Sequence, residues 1–256
     1  LFGTPVAAAL VFTGLVAASA AFVALYLAID VPKPNDLARA NSSVVYYSDG
    51  KTEVGRYEEV NRDSVPLSEV PEHVQYAVLA AADRTFYDNR GISIRGIVRS
   101  LWNNLTGGDT QGGSTITQQY ARNAYLTQDQ TYERKVKEAI LALKLDRELS
   151  KEQILEDYLN TIYFGRNAYG IQAASEAYFR RPVSRLTLEQ GAALAALIRS
   201  PAYYDPAEGK DAAERLAART LDYVVPGMVE EGWLSAAEGA AASMPKVRRP
   251  QQSNQF

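Results

Sequence analysis

The chain has 256 residues, 46% of them hydrophobic, and sets 27 Lys and Arg against 30 Asp and Glu for a net charge of -3. Apolar content on this scale supports one large domain or two small ones and excludes a disordered chain, while the near-balance of charge excludes a global basic field for nucleic acid. With no Cys and a single His, His73, there is no material for disulfides, thiolate nucleophiles, His-based triads or multi-His metal sites, so chemistry falls to carboxylates, cations, hydroxyls and amides.

Leu1 to Ile29 carries no charged residue. The run LVFTGLVAASAAFVALYLAI matches the ~20 apolar residues that span a bilayer as a helix, and predicts one N-terminal transmembrane helix over residues 1–30. AASA at 17–20 has the small residues of a signal-peptide cleavage site, yet the apolar run continues past it and no basic stretch precedes it. A polar, proline-containing connector follows. SVVYYSDGKTEVGRYEEV then reads as a small β-hairpin about Asp49-Gly50, so connector and hairpin occupy 31–62.

From 63 to 245 the signals are helical. Val74, Val78 and Ala81 fall at helical spacing after Pro71, whose missing N–H is tolerated in a first turn. Ser150–Gln153, Thr187–Gln190 and Ser235–Glu238 each fit a capping box. Val136, Ile140 and Leu143 form one apolar stripe, and Ile154, Leu155, Tyr158, Leu159 and Ile162 a broader one, assigned to the core. The tail over 246–256 is proline-broken, basic and then amide-rich, and is expected to be a linker to a further domain.

Several stretches carry polar groups at spacings suited to chemistry. Asp83 and Arg84 close a helix ahead of Gly91, where an ion pair at a helix end is the plain alternative to function. Gly112 and Gly113 precede Ser114, Thr115, Gln118, Gln119 and Arg122, and a glycine turn entering a helix presents N–H groups and a positive dipole to an anion. No Gly-Lys-Ser/Thr follows, which argues against a nucleotide triphosphatase. An ordinary N-cap is the alternative there. Arg134 and Glu138 share a helix face beside Lys135, leaving a surface salt bridge, an ionised carboxylate orienting the cations, or a metal held with a phosphate ligand. Ile94, Ile97, Val98, Leu101 and Leu105 recur at helical spacing, with Trp102 suited to a lipid headgroup zone and Arg95 and Arg99 to anionic lipid, as on a helix lying in a membrane surface, or else facing a core. Gly107 to Gly113, four of its residues glycine, is expected to be mobile until a ligand orders it.

Taken in order, ADRTF with Gly91, GGSTITQQYARN, RKVKE, ILEDYLNTIYFGRNAYG and LTLEQGAALAALIRSPAYYDP resemble the five motifs of the family 51 peptidoglycan glycosyltransferases, found in class A penicillin-binding proteins and monofunctional transglycosylases. The resemblance implies a mainly α, lysozyme-like domain on the extracytoplasmic side of the cell membrane, held by a single-pass helix. It implies a reaction in which a sugar hydroxyl of lipid II attacks the anomeric carbon of a glycan carried on polyprenyl pyrophosphate. Asp83, Arg84, Ser114, Thr115, Gln118, Gln119, Arg122, Arg134 and Lys135 would bind substrate and Glu138 would assist catalysis. Lipid II, the lipid-linked glycan, the inhibitor moenomycin, the membrane and other cell-wall synthesis proteins are the implied partners, nucleic acid is not, and no cofactor is obligatory, with Mg2+ or Mn2+ beside Glu138 as the optional ion.

The sequence departs from the family pattern at three positions. Ala82 stands where the family has its general-base Glu, Asn89 where His is usual, and Gln130 where a basic residue is common. A deliberate substitution at 82 to trap a complex, a natural pseudoenzyme, and Asp83 as substitute base are the three explanations. The last is disfavoured because one residue along a helix turns the side chain by ~100°. A lysozyme-like enzyme cleaving glycan would need no pyrophosphate-binding cations.

Overall fold

The computed structural model describes residues 3–29, 42–46, 53–58, 64–106, 113–126 and 131–250. The Asp49-Gly50 turn, the glycine-rich stretch 107–112, Gln130 and residues 251–256 lie outside them. Helix α1 runs Gly3–Ala28 without a charged residue, and its end meets the body where Lys144 donates to the Ile29 carbonyl and stands 4.9 Å over the Tyr26 ring. Among the described residues no helix is long and apolar enough to cross a membrane. Many α1 side chains lie outside them, so the span expected there rests on the sequence of the helix. Strands β1 (Ser42–Tyr46) and β2 (Glu53–Glu58) pair antiparallel, Ser42 opposite Glu58 and Val44 opposite Arg56.

The rest is helical. Helix α2 (Glu72–Ala82) starts directly after Pro71 and buries Val74, Ala77 and Val78. Helix α3 (Ile94–Thr106) leads towards α4 (Ile116–Tyr125), α5 (Tyr132–Glu148) and α6 (Lys151–Thr161), the last three packed together. Then come α7 (Ile171–Phe179) and α8 (Leu188–Leu197), the second lying along α2. Small residues on α8 allow that approach: a Cβ at Gly191 would stand 2.8 Å from Val74 Cγ2. The short α9 (Pro201–Tyr204) precedes α10 (Lys210–Arg219), which continues through a π turn at Thr220–Val224 into α11 (Val225–Glu230), and α12 (Ala236–Ala241) closes the series.

The capping signals behave unequally. Thr187–Gln190 and Ser235–Glu238 close both arms of the box. Ser150 accepts from Gln153 N, but the Gln153 side chain turns to Asp157 Oδ1 at 3.2 Å instead of returning. On α5 the expected stripe is rotated: Val136 is exposed, and the buried face is Glu138, Ile140, Leu141, Ala142 and Leu145. A buried carboxylate with cationic partners replaces a methyl group in the apolar pattern there.

The tail also differs from its expected linker character. Met244 and Val247 pack against the core, and Arg248 N donates to the Tyr178 carbonyl at 2.9 Å. Residues up to 249 therefore belong to the domain. Their anchor is Arg166, in the left-handed region at φ 52 between Gly165 and Asn167. Its guanidinium forks onto Asp205 at 2.8 and 2.6 Å, stacks 4.0 Å over Tyr178 and donates to Arg248 O at 2.7 Å. Both charged side chains are nearly sealed from water, at 6% and 9% exposure. Arg166→Met strands the Asp205 carboxylate, and is expected to lower unfolding free energy by about 3–5 kcal/mol in urea denaturation.

Candidate active site

The site grows from the end of α2. Asp83 leaves helical geometry at φ -161 while its N–H still reaches Leu79 O at 2.8 Å. Its carboxylate then collects donors from both sides of the turn. Oδ1 accepts from Thr85 N at 3.2 Å and Thr85 Oγ1 at 3.0 Å, and Oδ2 accepts from Asn89 Nδ2 at 3.0 Å and Ile116 N at 3.1 Å. Burial pushes the Asp83 carboxyl up from the ordinary aspartate range, and these hydrogen bonds pull against that rise. The last bond matters most for geometry, because it ties the end of α2 to the start of α4. Asn89 completes the turn by accepting from Gly91 N at 3.1 Å, and Lys151 holds it from behind through Asn89 O at 2.7 Å.

Thr115 opens α4 as a full capping box, accepting from Gln118 N at 3.1 Å while Thr115 N donates to Gln118 Oε1 at 3.0 Å. Its hydroxyl proton goes to Gly91 O at 2.6 Å. Gly91 is obligatory here: its φ is 81, and a Cβ would stand 2.3 Å from the Ala142 carbonyl oxygen. One turn on, Gln119 Nε2 reaches Ser114 O at 3.4 Å and its Oε1 accepts from Tyr158 OH at 2.9 Å.

On α5, Glu138 is fully buried and holds two cations, Arg134 Nη1 at 2.9 Å on Oε2 and Lys135 Nζ on Oε1. Lys135 also donates to Ser114 Oγ at 2.8 Å. The carboxylate thus spends both oxygens on orienting cations. That donor set does not fit a divalent ion, which would have to displace them.

These elements enclose a cavity of about 530 Å3, and Ala82, Asp83, Arg84, Ser114, Thr115, Gln119 and Arg122 line it. Gln118 does not: it is buried behind the wall and used up in the capping box. Arg134, Lys135 and Glu138 stand behind Ser114 rather than on the lining. The lining also holds residues not singled out from the sequence, Arg199, Arg219 and Tyr223. Arg219 stacks 4.7 Å from the Tyr223 ring and donates to Ala196 O at 3.2 Å, while Arg84 pairs with Glu230. The LIRSP string around Arg199 was the available signal. The π turn swings Arg219 and Tyr223 into place. Beside the cavity, Arg95 joins it to an apolar surface on α3 where Ile94, Val98 and Trp102 are 71%, 61% and 67% exposed. Ile97 is exposed with them, and the Leu101 side chain lies outside the described residues.

Residues 50–225 match the transglycosylase family. The chain belongs to that family. It is 48% identical over 235 residues to penicillin-binding protein 1A of Mycobacterium tuberculosis, covering 90% of this chain and 28% of that protein. The protein of the same name from Mycolicibacterium smegmatis is 44% identical over 232 residues, 88% of this chain and 29% of that one. Penicillin-binding protein 1F of Bacillus subtilis is 41% identical over 202 residues, 78% of this chain and 28% of that one. The chain therefore spans less than a third of the length of these relatives.

For this transglycosylase domain the Thr115 hydroxyl is a joint between the turn after α2 and the start of α4, since it both caps α4 and holds Gly91. Thr115→Val keeps the shape and removes both bonds. The expected cost is about 1–2 kcal/mol in chemical denaturation.

Proposed function

We propose that this domain binds lipid II and a glycan carried on polyprenyl pyrophosphate, as a peptidoglycan glycosyltransferase of lysozyme-like build whose turnover is impaired by Ala82. The observation that carries the reading is the cavity itself: Ser114, Gln119, Arg122, Arg199 and Arg219 line one space, and Ala82 lines it with them. A departing pyrophosphate needs cations and N–H donors set in advance, and such electrostatic stabilisation is the largest contribution a site of this kind can make. Lys135, held by Glu138 and hydrogen-bonded to Ser114, adds charge from behind that wall.

The attacking hydroxyl must lose a proton, and the methyl group of Ala82 accepts none. Asp83 is a poor substitute, because its two oxygens already accept four hydrogen bonds and one of them anchors α4. The geometry supports a chain that binds substrate, or the inhibitor moenomycin, and transfers sugar slowly. Ala82→Glu is expected to raise lipid II polymerisation by roughly 10²–10⁴-fold, the usual worth of a general base. The measurement is glycan product formed from lipid II in detergent, and equal rates for the two proteins overturn the assignment of position 82.

We further read the domain as working at the outer face of the cell membrane, anchored by α1 and resting on α3. Support comes from the uncharged 26 residues of α1 and from the outward-facing Ile94, Ile97, Val98 and Trp102 next to Arg95, which brings a lipid-borne substrate to the cavity edge. The isolated body lacking residues 1–29 is expected to cosediment with anionic phospholipid vesicles. Trp102→Ala with Val98→Ser should weaken that association several-fold while circular dichroism stays unchanged. Absence of vesicle binding by the unmodified body removes the α3 contact from the proposal.

A further inference from the structure

Tyr158 lies on α6 among Ile154, Leu155, Leu159 and Ile162, all buried, and is itself fully buried. A phenylalanine would fill the same space. The hydroxyl is therefore the atom that needs a reason, because a buried polar group without a partner is costly. Its partner is Gln119 Oε1 at 2.9 Å, on the helix that lines the cavity.

An amide side chain can present either its oxygen or its NH2 edge in nearly the same space, and its neighbours decide which. Burial pushes the Tyr158 phenol well above its ordinary value, so the hydroxyl stays protonated and has a proton to donate. Only the amide oxygen can accept it. A flipped Gln119 would donate its NH2 to the phenol oxygen, but the phenol proton would then lose the acceptor it has here. With the oxygen held down, Nε2 points to the Ser114 side, where its own bond to Ser114 O is long at 3.4 Å. That N–H is poised for a better acceptor. Arg122, one helical turn further along α4, also lines the cavity, and the charges of Arg122 and Asp83, both lining residues, act on the phenol.

Resting on the pyrophosphate reading above, we propose that Tyr158 is a positioning residue whose hydroxyl locks the Gln119 amide with its N–H edge towards the bound pyrophosphate. Without it the amide is free to turn its oxygen lone pairs towards the anion, converting attraction into repulsion. The tyrosine thus acts on the ligand from one layer below it, without touching it.

Isothermal titration of this chain with farnesyl pyrophosphate in detergent micelles tests the proposal. Tyr158→Phe is expected to weaken binding roughly tenfold, the scale of one hydrogen bond to a charged group, while the melting temperature falls by only about 2–4 °C. In a Gln119→Ala background the same change should have no further effect on affinity, because the group it orients is gone. Unchanged affinity in Tyr158→Phe, or an equal loss with and without Gln119, overturns the positioning role and leaves the functional reading intact. No binding by the parent chain overturns that reading, and this inference with it. Should Tyr158→Phe fail to fold, the side-chain NH2 resonances of Gln119, assigned by their loss in Gln119→Ala, give the answer: they should shift when farnesyl pyrophosphate binds the unmodified chain, and unmoved resonances sink the proposal.

Discussion

A single bond, Ile116 N to Asp83 Oδ2, sets the geometry on which the rest of the cavity depends. It joins the end of α2 to the start of α4, two helices whose packing partners are otherwise different: α2 lies on α8, and α4 on α5 and α6. The Thr115 hydroxyl on Gly91 O makes the junction two-legged. Because the Asp83 carboxylate is largely desolvated, weakening these bonds would leave a buried charge without donors, so the junction is held by the cost of breaking it as much as by the gain of making it. Ala82, Arg84, Ser114 and Gln119 all sit within a few residues of the junction, and their separation across the cavity follows from it.

The cationic side of the site is organised by carboxylates that never face the cavity. Glu138 fixes Lys135 close to Ser114, and Asp146 and Asn89 O fix Lys151 under the Phe86 ring. Lys151 occupies the first position of α6, where a helix dipole disfavours positive charge. The residue stands there against local preference because it braces the turn from 83 to 91. Buried acids of this kind let a site concentrate positive charge without unfolding itself through repulsion.

Much of this was readable from the sequence, for specific reasons. Pro71 and the Thr187 and Ser235 caps marked helix starts because each solves a backbone problem local to one turn. The five motifs, in order, identified the family. The Thr115-x-x-Gln118 spacing is that of a capping box, which explains why Gln118 is buried away from the cavity lining. The α5 stripe was rotated because apolar periodicity cannot register a carboxylate buried by ion pairing, as Glu138 is. Arg199, Arg219 and Tyr223 are hard to find in the sequence because they lie far along the chain from the other cavity residues and meet them through tertiary packing, α8 and α11 on α2 and Arg84 over the Tyr223 ring. The docked tail was read as linker because Arg166 and Asp205, which create its seat, carry no local signal of each other.

That seat has a mechanical consequence. Tension on the chain beyond residue 249 would load the Arg180–Arg249 bond first, then the Arg248–Tyr178 and Arg166–Arg248 bonds, and through them the Arg166–Asp205 fork, on the face built from α7 and the loop before it. None of these residues lines the cavity. A load applied there would therefore reach the Arg166–Asp205 fork before it reached the Asp83–Ile116 bond that joins α2 to α4.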